Sequence, residues 1–199
     1  MSLEHSHAPD DIADRLQDGP VISYLRDWVY GGIDGAVTTF AVVAGAVGAN
    51  LSTPIILILG LANLLADGFS MAAANYSGTK AELDNRHCLR RIEEGHIRRF
   101  PEGERLEVRE ILAQKGLSGE VLSQATDAIT RDREKWIALM MEGEYGLGSI
   151  DPHPAISAVT TFVSFLIAGI LPLIPFIIGL ENAFTTSAAM TMASTRSRP

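Results

Sequence analysis

Two long stretches without a single Asp, Glu, Lys or Arg, residues 35–66 and 152–180, constrain this chain of 199 residues more than any other feature. A helix crosses a hydrocarbon core of about 30 Å with about 20 apolar residues, at 1.5 Å rise each. The first stretch therefore holds most of two spans, and the second holds one span and part of another. Between them, from Lys80 to Asp151, charged residues are dense. Apolar runs of this kind also occur in soluble helical cores. A mean hydropathy of +0.17 combined with charge segregated along the chain favours lipid. The expected fold is an all-α membrane protein.

Four spans are expected. The first runs from about Trp28 to Gly48, after the interfacial aromatics Tyr24, Trp28 and Tyr30. Asn50-Leu51-Ser52-Thr53-Pro54 then makes a short turn, with Pro54 suited to a first helical turn. The second span runs from about Ile55 to Ser77, and only isolated glycines interrupt the sequence before Gly95, so this helix is expected to continue into the charged region. The third runs from Ala155 to Leu171, where Leu171-Pro172-Leu173-Ile174-Pro175 punctuates the chain. The fourth, from Leu173 toward Thr195, is poor, because it carries Glu181, Asn182 and many Ser and Thr residues.

The expected organisation is an acidic disordered tail (1–22), spans one and two (23–79), a helical module (80–151), then span three and an incomplete span four (152–199). The first 20 residues lack the apolar core of a secretory signal, and His5 and His7 within them read as solvated or tag-like residues. Lys and Arg concentrate between Lys80 and Lys135, whereas the turns at Asn50 and Pro172 have none, so the positive-inside rule places the module and the tail in the cytoplasm. Arg196 and Arg198 agree with that orientation. Within the module three helices are expected: Lys80 to Arg99 until Phe100-Pro101 stops it, Glu102 to Lys115 ended by Gly116, and a longer one after Ser118, interrupted near Thr130 and finished by Gly146-Leu147-Gly148. The single Cys88 excludes an internal disulfide and reads as a free thiol in a reducing compartment. A net charge of -8 argues against a nucleic-acid partner and suits cations.

Two sets of residues carry chemistry. In the membrane, carboxylates cost about 2.5–3.5 kcal/mol at mid-bilayer and mark ion paths or bundle interiors. Asp34 and Asp67 bracket the longest uncharged stretch. Asn63, Asp67, Met71 and Asn75 recur at a four-residue step and present oxygen and sulfur on one winding stripe, beside a second stripe of small residues. Gly31-x-x-x-Gly35 and Ala41-x-x-x-Gly45-x-x-x-Ala49 give the first span its own small-residue seam. In the module, Glu93 and His96 are three apart, Glu104 and Glu107 are three apart, and Met140, Met141 and Glu144 lie within about one turn. Carboxylates alone would suit a solvated bundle. With imidazole and thioether added, the set suits a borderline divalent metal such as Fe²⁺ better than Ca²⁺ or Mg²⁺.

The Asp34-Gly35-Ala36-Val37-Thr38-Thr39-Phe40 stretch through Gly45, the Asp67-Gly68-Phe69-Ser70-Met71-Ala72 stretch leading to Asn75-Tyr76-Ser77, and Pro101-Glu102-Gly103-Glu104 resemble the vacuolar iron transporter family, related to yeast calcium-sensitive cross-complementer transporters. The similarity covers about Trp28 to Glu181 and suggests a bacterial-type member, short at its C-terminus. The resemblance implies a homodimer with five spans per protomer, a path at the dimer interface, a cytoplasmic three-helix metal-binding domain, and exchange of Fe²⁺, sometimes Mn²⁺, for protons. It implies Asp34 and Met71 as ligands in the membrane. It implies Glu93, Glu104, Glu107 and Glu144 with Met140 and Met141 as the cytoplasmic metal site. Where plant members have a glutamate this chain has His96, whose imidazole still ligates Fe²⁺ when neutral and should bind less well below pH about 6.5.

The expected function is thus a divalent-metal exporter in a bacterial inner membrane or, in a eukaryote, a vacuolar membrane, with lipid, metal ions, protons and a second copy as partners, and no enzymatic activity. The module would capture the ion and raise its local concentration near the pore entrance. A carboxylate in the membrane would then alternate between ionised and protonated forms to return protons. One alternative is a metal-binding membrane protein that does not transport, with Fe²⁺ or Zn²⁺ as ligand, motivated by the expected absence of a fifth span. Another is a di-iron ferroxidase, for which Glu93-x-x-His96 is a local signature that the sequence does not repeat.

Overall fold

The computed structural model describes residues 8–18, 21–148 and 151–196, so His5, His7 and Arg198 lie outside the described residues. The described residues are helical, without strands. The helices are α1 (Pro9–Asp18), α2 (Leu25–Gly48), α3 (Thr53–Arg99), α4 (Pro101–Gln114), α5 (Gly119–Thr130), α6 (Arg133–Gly143), α7 (Pro154–Ile170), α8 (Ile174–Ile177) and α9 (Ala183–Thr195), with a single 3₁₀ turn, Leu171–Leu173, between α7 and α8. They divide into two compact units: Ser23–Lys80 with Pro152–Pro199, and Met1–Ile22 with Ala81–Asp151. α3 gives its first part to one unit and its last part to the other. Where an acidic tail is expected to be disordered, Pro9–Asp18 is a helix with Asp10 and Asp11 in its first turn, where negative charge meets the positive end of the helix dipole.

In the first unit three helical segments are long and apolar enough to cross a membrane: Leu25–Gly48, the start of Thr53–Arg99, and Pro154–Ile177. α2 ends at Ala49, and Asn50 takes the left-handed conformation (φ 56°) that Asn tolerates better than most residues. The Leu51 N–H then bonds back to the Ala46 carbonyl at 3.0 Å. α3 runs for 47 residues without a break, as the lack of breakers predicts. At 1.5 Å per residue it is about 70 Å long, more than twice a hydrocarbon core.

The fourth span, expected to be incomplete, does not form a crossing helix among the described residues. Pro172 and Pro175 do not separate two spans. They cost backbone donors, but Pro172 sits in the 3₁₀ turn and Pro175 in the first turn of α8, where a missing N–H is tolerated, and the apolar segment continues to Ile177. Gly179 (φ 71°) then turns the chain past Glu181 and Asn182. The α9 helix has only 13 residues, about 20 Å, too short for a crossing.

α7 packs against α2 so closely that only glycine fits. A Cβ on Gly31 would lie 2.5 Å from the Thr161 carbonyl, and one on Gly35 would meet the Phe165 carbonyl. Gly169 answers from α7, where a Cβ would approach the Gly35 carbonyl at 2.8 Å. The Gly31-x-x-x-Gly35 seam is therefore filled within one protomer. By contrast, Ala41, Gly45 and Ala49 are exposed, and nothing lies within 4 Å of a Cβ placed on Gly45. Asn75 ties α3 to α7, donating to Thr161 Oγ1 (2.7 Å) and the Ser157 carbonyl (3.3 Å). Ser164 donates to the Trp28 carbonyl on α2. Exposed Ile58, Leu59, Leu65 and Phe69 leave a broad apolar face on α3, as lipid-facing helices require.

The second unit has its own core, in which Val108, Leu112, Leu122, Trp136 and Met140 are buried together. Pro101 starts α4 directly after Arg99 and Phe100, and Gly116 (φ 96°) terminates it. The expected interruption near Thr130 separates α5 from α6. Asp132 caps α6 by accepting from the Glu134 and Lys135 N–H groups at 3.1 and 3.3 Å. Those bonds hold its carboxyl below the usual range, led by the Lys135 backbone N–H.

Candidate metal centre

The last turns of α3 and the first turn of α4 bring Glu93, His96 and Glu104 together. Glu93 and His96 are one turn apart on α3, and the Phe100 break folds α4 back so that its first-turn Glu104 joins them. His96 Nδ1 lies 3.6 Å from Glu93 Oε1 and 3.6 Å from Glu104 Oε1. One ligand atom from each residue fits within 4.8 Å of the others, a spacing that a single ion can bridge. Glu93 is 0% exposed and Glu104 6%, while the His96 side chain is about half exposed. Buried carboxylates are normally paired or coordinate a metal. Here Glu93 Oε2 and Glu104 Oε2 are both buried without a hydrogen-bond partner.

Electrostatics agree with an acidic trap. The Glu104 carboxyl is pushed up to about 7, first by burial, then by Glu107 and Glu93, with His96 opposing. Glu144 is raised too, by burial and then by Glu93 and Glu107, so Glu107 and Glu144 act on the same cluster although both are exposed. A divalent ion would replace protons held at such a site. The two methionines diverge, as adjacent helical residues about 100° apart must. Met140 is fully buried in the apolar core, and Met141 is buried along a cavity of about 670 Å³ shared with Arg86 and His87.

Sequence reasoning passed over Tyr145. α6 ends at Gly143, and Gly146 (φ 67°) turns the chain while the Leu147 N–H reaches back to the Met141 carbonyl at 2.9 Å. That turn sets the Tyr145 hydroxyl to donate to Glu93 Oε1 at 2.7 Å. Burial and Glu93 push the phenol above its ordinary range, so it remains a donor. The signal available was a hydroxyl directly after Glu144 at a glycine-marked helix end.

In the membrane-crossing unit, Asp34 on α2 and Asp67 on α3 are both half-buried and near enough for their charges to interact. Asn63 and Met71 lie one turn to either side of Asp67, both half-buried, and Asn63 Nδ2 is buried without a partner. Thr39 Oγ1 is likewise unpartnered, on a residue with 0% exposure.

A sequence profile of the VIT family matches residues 25–196. Vacuolar iron transporter 1 of Oryza sativa subsp. japonica is 34% identical over 196 residues, covering 97% of this chain and 75% of the relative. The vacuolar iron transporter of Toxoplasma gondii (strain ATCC 50861 / VEG) is 38% identical over 173 residues, 85% of this chain and 57% of the relative. Vacuolar iron transporter 1 of Arabidopsis thaliana is 36% identical over 155 residues, 77% of this chain and 62% of the relative. The chain thus spans 57% to 75% of the length of these three relatives.

Proposed function

The chain belongs to the VIT family, the vacuolar iron transporters, and from that membership we propose that it carries Fe²⁺ out of the cytoplasm in exchange for protons. It is a multi-pass membrane protein that transports metal ions, and it is not an enzyme. The observation that carries the finer reading is the convergence of buried Glu93 and Glu104 on His96, with one oxygen of each carboxylate unpartnered. Capture comes first: Fe²⁺ exchanges with protons at this group, assisted by Glu107 and Glu144, and the unit is cytoplasmic. Met140 and Met141, carried by α6 just before Glu144, are the candidate thioether donors. Passage follows at Asp34 and Met71, with Asp67 and Asn63 beside them, where carboxylate, amide and thioether replace part of the hydration shell. A carboxylate there is neutral when desolvated and charged when an ion arrives, which couples the ion to a returning proton.

Mn²⁺ is a second cargo in this scheme, since carboxylate and imidazole ligands accept it. A homodimer supplies the pathway with two copies of each residue, and the uncovered Ala41, Gly45 and Ala49 seam offers a close-approach surface for it. The test is flux of Fe²⁺ under anaerobic conditions into proteoliposomes with an imposed pH gradient. Asp34→Asn is expected to lose flux while still binding Fe²⁺ at the module, and Glu104→Gln to lose binding first. Wild-type flux in Asp34→Asn, or flux indifferent to the gradient, refutes the scheme.

A further inference from the structure

Glu93 is the one member of the metal group with no exposure at all, and its two oxygens have unequal surroundings. Oε1 receives the Tyr145 hydroxyl at 2.7 Å and faces His96 Nδ1 at 3.6 Å. Oε2 is buried with no hydrogen-bond partner. Oε1 is thus the oxygen turned toward His96, as Glu104 Oε1 is, and a hydroxyl donating to it fixes the rotation of a carboxylate that has no room to swing into solvent, so an ion held by the three residues meets Glu93 through one oxygen. Carboxylate denticity separates cations. Ca²⁺ gathers 6–8 oxygens and commonly takes carboxylates two oxygens at a time, whereas first-row divalent ions are satisfied by fewer, mixed nitrogen and oxygen ligands.

We propose that Tyr145 is a specificity-determining positioning residue: its hydroxyl holds Oε1 of Glu93 beside His96, confines that carboxylate to one-oxygen coordination, and so biases the group toward small first-row cations over Ca²⁺. This rests on the reading of Glu93, His96 and Glu104 as the capture site. Groups that orient a metal ligand from behind typically change affinity by about 10–100-fold when removed. Tyr145 reaches Glu93 from 52 residues away in the chain, at the glycine-marked end of α6, so its contribution is separable from the helix that carries the ligand.

The experiment compares Fe²⁺, under anaerobic conditions, with Ca²⁺ by calorimetry on the full-length protein in detergent. Tyr145→Phe keeps the ring and removes the hydroxyl. Its Fe²⁺ affinity is expected to fall about tenfold, while Ca²⁺ affinity is unchanged or rises. In a Glu93→Gln, Glu144→Gln background the same substitution is expected to have no further effect, because these are the two carboxylates the Tyr145 hydroxyl meets. Equal weakening toward both ions, or an undiminished effect in the Glu93→Gln, Glu144→Gln background, overturns the proposal and leaves Tyr145 a structural residue. Wild-type Fe²⁺ binding in Glu93→Gln instead overturns the capture site itself. A measurement on unsubstituted residue 145 guards against a Tyr145→Phe protein that does not fold. Infrared difference spectra on Mn²⁺ loading, wild type minus Glu93→Gln, isolate the Glu93 stretches, whose wide splitting is expected for one-oxygen coordination. A narrow splitting refutes the inference without any variant at Tyr145.

Discussion

Replacing Glu104 with Gln should make the metal-free protein more stable while removing its affinity for metal, and the size of the first effect follows from the structure. The carboxyl is raised from 4.5 to about 7 by burial and by Glu107 and Glu93. At about 1.36 kcal/mol per pH unit of displacement, the ionised side chain costs the folded state about 3 kcal/mol well above pH 7. The sign is fixed by proton counting. Between pH 4.5 and about 7 the folded state binds more protons than the unfolded chain, so stability declines as pH rises through that window and is flat above it. Gln keeps the shape and cannot ionise, so Glu104→Gln is expected to gain about 3 kcal/mol at pH 8 and nothing near pH 4. The assay is melting in detergent with chelator present, in a Trp28→Phe background so that Trp136 alone reports the unit it sits in. Saturating Fe²⁺ at about 100 times its dissociation constant should restore about 2.7 kcal/mol to the parent protein and nothing to the variant. A Gln variant no more stable than its parent at pH 8 without metal would refute the argument that burial and like charge strain this site.

Three further outcomes follow from packing and capping. Gly35→Ala places a methyl group against the Phe165 carbonyl and should lower stability in detergent by about 1–3 kcal/mol. Asp132→Ala removes the acceptor for two N–H groups at the start of α6 and should cost the helical unit about 1 kcal/mol by the same Trp136 fluorescence melt, with Asp132→Asn close to neutral.

Much of the fold was legible because its boundaries are local chemistry. Pro54, Pro101 and Gly116 sit where the sequence predicts helix starts and stops, and the long α3 is what an absence of breakers implies. The count of spans was less legible. Pro172 and Pro175 read as a stop, but a proline in a 3₁₀ turn and another in the first turn of the next helix interrupt little, and apolar neighbours on both sides favour carrying on. The site divided along the same line. Glu93 and His96 share a face by spacing alone, and Glu104 follows once Pro101 fixes the bend. The complete burial of Glu93 was not readable, nor was the tyrosine that a distant turn brings to it. Nor was the fate of Gly31 and Gly35, because a small-residue seam states that something comes close without saying what.

The two seams of α2 have opposite circumstances, and this divides the helix into a half that answers to its own chain and a half that does not. Bulk added at Gly31 or Gly35 is felt at once by α7, so such variants report on folding. Bulk added at Gly45 collides with nothing in the same molecule, and any penalty it carries must originate outside, in lipid or in another copy. Gly45→Ala is therefore a probe of self-association that spares the protomer, with another copy told from lipid by an effect that grows with protein concentration.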